Sequence, residues 1–327
     1  MYSDVPLFLS LTFVVGGLWL LAWSANRFVE GAEAVTRALG VSPFVVGMVV
    51  IGFGTSAPEL AVSALSGFAG HSNLSLGNAY GSNIFNIAAI LGVAALIHPI
   101  PVRPIVVFGA VPMLLVASVA SCLLVCLGGG FSRLDGVWCL LLFAVLLPVY
   151  CYLDRKGKGD ADAEGGDAPP CRHPCLALVG GLALLVASSH ILVWGAVDLA
   201  RALGVSELLI GLTIVAAGTS LPELASAIAS ARRGQHDFVL GNIIGSNFFN
   251  TLAVVGLSGT IAPFKNVSSY VFVREFPMMI ILSLSIAIFG MNLTHPRSTS
   301  RISRICGILY LALFATYLAM LIYQEIP

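Results

Sequence analysis

The sequence predicts an all-α integral membrane protein. Ten transmembrane helices form two inverted-topology five-helix repeats, with helices two and seven broken. Three observations lead there. Of 327 residues, 58% are apolar and 10% charged, where a soluble domain carries roughly 25% charged residues. Apolar stretches long enough to cross a bilayer recur along the chain. Finally, residues 37–92 align with 201–256 at a constant offset of 164 without a gap, with 26 of the 56 positions identical.

Mean hydropathy is +0.96, and a core of this size cannot hide that much apolar surface, so the remainder faces lipid. The formal charge of zero gives no electrostatic footprint for nucleic acid, and nothing in the chain implies an obligate protein partner. Seven cysteines, an odd number lying mostly in apolar segments, read as small hydrophobes rather than a disulfide framework. The start, MYSDVPLFLSLTF, has neither a positive n-region nor an A-x-A site and reads as the first membrane helix.

A helix needs about 20 apolar residues to cross roughly 30 Å of hydrocarbon. On that ruler the spans fall at 5–27, 42–69, 74–97, 104–127, 134–153, 175–198, 206–231, 238–262, 271–291 and 303–323. Residues 1–153 make the first five-helix repeat, with its motif at 42–92. Residues 175–327 make the second, with its motif at 206–256. Between them 154–174, rich in charge, Gly and Pro, is a polar linker. Five spans is an odd number, so the second repeat enters from the opposite face, as in many secondary transporters whose site lies at the midplane. Eleven Lys/Arg fall on the face that holds the linker and four on the other. The positive-inside rule then makes the linker cytoplasmic and puts both termini outside, in a plasma (inner) membrane.

The repeated segments carry the chemistry. "GTSAPEL" at Gly54–Leu60 returns as "GTSLPEL" at Gly218–Leu224, placing a helix breaker and a carboxylate inside apolar spans. Pro58 and Pro222 each remove a backbone donor and free carbonyls around Gly52–Thr55 and Ala216–Thr219, which is costly in lipid unless something binds them. Thr55, Ser56, Thr219 and Ser220 add hydroxyl oxygens, and Glu59 and Glu223 add a charge each. An all-oxygen set suits hard cations such as Ca²⁺ and Na⁺ and not zinc. One span later, Ser82 and Asn86, like Ser246 and Asn250, stand four residues apart on one helix face. Gly77, Gly81, Gly241 and Gly245 fit close helix approach. A single buried Glu or Pro could be a packing device; two copies pairing both point to an ion path.

The pairs "GTSAPEL…GNAYGSNIFN" and "GTSLPEL…GNIIGSNFFN" resemble the two alpha repeats of the cation/calcium exchanger superfamily, in particular its bacterial-type sodium/calcium antiporters. The resemblance implies a diamond of four cation positions and no cofactor, with Ca²⁺ and Na⁺ as the transported ions. The central calcium position would use Glu59, Glu223 and the carbonyls of Thr55 and Thr219, completed by Asn86 and Asn250. Flanking sodium positions would use Ser56 and Ser82 on one side and Ser220 and Ser246 on the other, with carbonyls from Gly52 and Ala216. Potassium-dependent relatives carry Asp where this chain has Asn250, so no potassium requirement is expected. In the family, helices corresponding to spans one and six slide across a fixed core.

Two carboxylates are neutralised by one Ca²⁺ or two Na⁺, and an empty pocket leaves unpaired charge in low dielectric, which makes rearrangement costly. Obligatory Na⁺/Ca²⁺ antiport follows, electrogenic if more than two Na⁺ move per Ca²⁺. The alternative is Ca²⁺/H⁺ exchange on the same glutamates; a GN-x-x-E type motif, usual in proton-coupled relatives, is not what stands here. A channel lacks the need for inverted repeats, and a membrane enzyme lacks a nucleophile or metal set. Asp160, Asp162 and Glu164 begin a calcium-loop pattern, but Cys171 stands where its bidentate Glu belongs. Cys171, His173 and Cys175 make a weak soft-metal pattern. Glu30, Glu33 and Asp198 read as interfacial anchors, and His190 as a packed residue in span six.

Overall fold

The structure is a computed structural model that describes residues 7–68, 72–127, 130–157, 171, 173–204, 214, 216–265, 267, 269–291 and 299–325. Among these it is helical apart from two short strand pairs. The helices are α1 (Leu7–Leu39), α2 (Pro43–Thr55), α3 (Ala57–Phe68), α4 (Leu74–Ile97), α5 (Val106–Cys126), α6 (Arg133–Arg155) and α7 (Pro174–Ala202). They continue with α8 (Leu221–Arg232), α9 (His236–Ile261), α10 (Val271–Gly290) and α11 (Arg304–Tyr323). Eight of these are long and apolar enough to span, and α2 with α3 forms a ninth, bent by 45°. The upstream part of the seventh expected span, 205–213 and 215, lies outside the described residues, as does most of the linker with its calcium-loop pattern.

The strands constrain the parity of the crossings. β1 (Ile100–Val102) pairs antiparallel with β4 (Ser300–Ile302), and β2 (Gly130–Phe131) with β3 (Phe264–Lys265). Each pair joins two interhelical connections, which must therefore lie on one membrane face. An even number of crossings has to separate β2 from β3. Three long helices are described between them, α6, α7 and α9; a ten-crossing chain adds the segment ending in α8 as the fourth.

α1 runs past the expected end of span one, because nothing breaks the helix until Gly40 at φ 61°, a left-handed position that favours glycine as a helix stop. Its counterpart Gly204, at φ 78°, follows the end of α7 in the same way. At 33 residues α1 is about 50 Å long, well over the hydrocarbon thickness. It packs antiparallel on α7, with Gly31 against Leu178, Gly181 against Phe28 and Gly17 against Leu192. The long helix also changes the reading of two acids. Glu33, 5% exposed, is no interfacial anchor, because α1 carries it over the end of α8, where Arg233 donates to its two oxygens at 2.8 and 3.1 Å and to Glu30 at 3.3 Å. Asp198 accepts from Ser10 between α1 and α7, and His190 faces outward on α7 rather than into the packing.

Arg233→Ala is expected to lower stability by about 1–3 kcal/mol, since Glu33 would lose its charged donors while buried; a thermal melt of the detergent-solubilised protein checks it.

α2 lies along α9 in the same direction. A Cβ on Gly241 would sit 2.4 Å from the Phe44 carbonyl oxygen, and one on Gly245 would sit 2.5 Å from that of Met48. These two glycines make the close approach expected of them. The equivalent partners for Gly77 and Gly81, at 208–212, lie outside the described residues. Within α4 and α9 the backbone widens into π-turns at Asn86–Leu91 and Asn250–Val254, both starting on a candidate site residue; such turns are frequent at functional sites.

Candidate cation site

Among the described residues the two repeats match around the break. α2 ends at Thr55, Ser56 takes φ −81° and ψ 6°, and α3 begins with Pro58 in its first turn. In the second repeat a helical turn at Ala216–Gly218 precedes Ser220, at φ −91° and ψ 9°, and α8 starts with Pro222. Proline suits this place because the first turn of a helix has no use for its missing donor. Glu59 and Glu223 follow directly, in the first turns of α3 and α8, where the helix dipole favours an anionic side chain.

Both carboxylates are buried, at 0% and 1% exposure, and the repeats exchange donors. Ser56 donates to Glu223 Oε1 at 3.0 Å, and its counterpart Ser220 donates to Glu59 Oε1 at 2.9 Å. Ser82 on α4 lies 3.5 Å from the same Glu59 oxygen and 3.2 Å from Ser220 Oγ. The structure therefore brings together Glu59, Glu223 and Ser82 from α3, α8 and α4, with Ser56 and Ser220 from the two breaks. Ser246 on α9 joins them from the other side, donating to the Gly52 carbonyl at 3.3 Å. That carbonyl also accepts Ser56 N at 3.1 Å, so it is not left free as the proline argument predicts. Thr55 turns its hydroxyl back onto Ile51 O at 3.0 Å. Ala216 lies in the turn before Ser220.

Other polar side-chain atoms of the candidate set have no partner among the described residues. Glu59 Oε2, Glu223 Oε2, Asn86 Oδ1, Thr219 Oγ1 and both polar atoms of Asn250 are buried and unsatisfied. Buried oxygens of this kind are costly, and native proteins keep few of them without a function. Five of the six are hard, acceptor-capable oxygens on the residues expected to surround a central cation; the sixth is Asn250 Nδ2. The donor set fits Ca²⁺ or Na⁺: two charges and several neutral oxygens, all hard ligands. Among the described residues no three of His, Cys, Asp and Glu converge in one place, as a zinc or iron centre would need.

Sequence reasoning missed four asparagines beside these groups. Asn78 and Asn242 donate to the backbone carbonyls of Glu59 and Glu223, each at 3.2 Å. Asn247 Oδ1 accepts from Asn86 Nδ2 at 2.9 Å, which leaves the Asn86 oxygen as the free end of that amide. Asn83 donates to Thr251 at 2.8 Å. Their recurrence at the offset of 164 was the available signal.

Half-helices broken in the middle of a helical membrane bundle, with buried carboxylates at the break, are the architecture of a secondary transporter. Comparison with known proteins agrees. The family model described as sodium/calcium exchanger protein matches residues 9–151 and 173–323, and the chain belongs to that family. It is 36% identical to the inner membrane protein YrbG of Escherichia coli K12 over 326 residues, covering 96% of this chain and 97% of that one. It is 31% identical to the sodium/calcium exchanger MaX1 of Methanosarcina acetivorans over 350 residues, covering 94% and 97%. The solved structure of the sodium-calcium exchanger NCX_Mj soaked with Na⁺ and Sr²⁺ superposes with a TM-score of 0.80 at 32% identity, covering 96% of this chain and 98% of that one.

Proposed function

We propose that this multi-pass membrane protein is an antiporter that exchanges Na⁺ for Ca²⁺ by alternating access, electrogenically and without potassium. The observation that carries the reading is the set of buried oxygens with no partner among the described residues, on Glu59, Glu223, Asn86, Asn250 and Thr219. Its family membership supports the same ions, since one relative is named a sodium/calcium exchanger. Two five-helix repeats, 1–153 and 175–327, enclose the site from opposite directions, with the 154–174 linker on the cytoplasmic face and both termini outside.

Calcium is held in the centre between the two glutamates, which cancel its charge. Two Na⁺ supply the same charge, and a third would occupy neutral oxygens. Moving the loaded, neutralised centre costs little; moving two bare carboxylates through low dielectric costs much. That difference couples the two ions. A third Na⁺ per Ca²⁺ carries one net charge, which gains about 2.3 kcal/mol per 100 mV. With Asn at 250 the centre holds two formal charges, which leaves no third carboxylate for K⁺.

The test is ⁴⁵Ca²⁺ uptake into vesicles loaded with sodium, against sodium-free vesicles and vesicles with a pH gradient alone. Uptake that requires internal sodium, is faster with an inside-positive potential and is unaffected by potassium is expected. Uptake that follows the pH gradient and ignores sodium assigns Ca²⁺/H⁺ exchange instead. The two threonines should also differ. The Thr219 hydroxyl has no partner among the described residues, while that of Thr55 lies 3.0 Å from Ile51 O. Thr219→Val is expected to raise half-saturating Na⁺ by about threefold or more, and Thr55→Val by less; sodium titration of the same uptake reads this.

A further inference from the structure

Asn242 sits on α9, 1% exposed, one helical turn before Ser246. Its Nδ2 donates to the Glu223 carbonyl at 3.2 Å and to Ser226 Oγ at 3.0 Å, both on α8. Its Oδ1 faces the hydroxyls of Thr55 at 3.3 Å, on α2, and of Ser246 at 3.4 Å. Both amide protons are thus used, and Oδ1 shares the Thr55 hydroxyl with Ile51 O and the Ser246 hydroxyl with Gly52 O. Three of the four contacts leave α9, two for α8 and one for α2. Only a planar group with two donors at one end and an acceptor at the other can do this. A carboxylate of the same shape would present oxygen to the Glu223 carbonyl.

The counterpart in the first repeat does less. Asn78 donates to the Glu59 carbonyl at 3.2 Å and to Ser63 Oγ at 3.0 Å. Thr219, the counterpart of Thr55, has no hydrogen-bond partner among the described residues. Asn78 therefore fixes its own glutamate-bearing half-helix without reaching the other repeat's threonine.

We propose that Asn242 is a positioning residue for cation binding. It holds the first turn of α8, and with it the Glu223 carboxylate, in register with Thr55 and Ser246, while Asn78 does this for Glu59 alone. Among the described residues the two halves of a symmetric-looking site are consequently held with different stiffness, the Glu223 side being tied across three helices and the Glu59 side across two. This rests on the reading of the cluster as the Ca²⁺ and Na⁺ site.

The experiment measures half-saturating Ca²⁺ and maximal rate of sodium-driven ⁴⁵Ca²⁺ uptake for wild type, Asn242→Ala and Asn78→Ala, each normalised to folded protein by size-exclusion chromatography. Asn242→Ala is expected to raise half-saturating Ca²⁺ by about tenfold, with the normalised maximal rate within about twofold of wild type, and Asn78→Ala to raise it less. A residue that only supports folding would lower the amount of folded protein and leave half-saturation unchanged, and that result overturns the proposal. Ser226→Ala removes the Asn242 contact together with the Ser226 hydroxyl's own bond to the Glu223 carbonyl at 3.0 Å. It leaves every ion-facing side chain in place, and alanine favours the helix more than serine. If Asn242→Ala does not fold, Ser226→Ala carries the test: a rise of about threefold in half-saturating Ca²⁺ supports the assignment and no rise overturns it. Absence of sodium-driven uptake in the wild type would instead remove the underlying reading of the site.

Discussion

Glu59→Gln and Glu223→Gln are each expected to abolish sodium-driven calcium uptake, by about 100-fold or more in initial rate, while the protein folds normally. Glutamine keeps the volume of the side chain and one acceptor oxygen, so Ser220 can still donate to residue 59 and Ser56 to residue 223, as they do now at 2.9 and 3.0 Å. What is lost is one of the two charges that replace the hydration of a divalent ion. The same substitution should make the ion-free protein more stable. Two carboxylates share a fully buried space, and removing one relieves their repulsion and part of their desolvation. Lost transport together with a raised melting temperature, measured in calcium-free and sodium-free buffer, separates a working site from a structural one. A fall in both would show the glutamates to be packing elements.

Gly245→Ala is expected to be strongly damaging although it leaves every ion-facing group in place. The added methyl carbon would stand 2.5 Å from Met48 O and 2.6 Å from Met48 Cα. These are backbone atoms, with no side-chain rotamer to yield. α9 must then move off α2, and the neighbouring residue Ser246 loses its reach to the Gly52 carbonyl. We expect a large fall in folded protein and loss of exchange in what remains, read by size-exclusion chromatography followed by vesicle uptake. Gly180→Ala is the control, because the nearest heavy atom there is the flexible end of Leu176 at 3.8 Å.

Much of this was legible in the chain itself. Length and hydropathy place spans, and the internal repeat fixes which positions are equivalent. A proline one residue before an intramembrane carboxylate marks a broken helix without any coordinates. The reach of α1 was not legible, since Arg27, Glu30 and Glu33 look like the end of a span when hydropathy is the only ruler. Helix continuation depends on breakers, and none occurs before Gly40. The Arg233–Glu33 pair was hidden for the same reason, being 200 residues apart in the chain. The asparagines fell short of notice differently. Asn78 and Asn242 look interchangeable in sequence, and only the geometry of Thr55 against Thr219 tells them apart. Nor could a proline argument foresee that Ser56 N and Ser246 Oγ would already satisfy the Gly52 carbonyl.

The central claim is that calcium and sodium compete for one set of oxygens built around Glu59 and Glu223. Equilibrium binding of ⁴⁵Ca²⁺ to the purified protein, titrated with Na⁺ and separately with K⁺ and H⁺, tests it most directly. The account predicts a single saturable Ca²⁺ site per chain, emptied cooperatively by Na⁺, indifferent to K⁺ and lost in either glutamine variant. Calcium binding that persists at saturating Na⁺ and is displaced only by protons would contradict it.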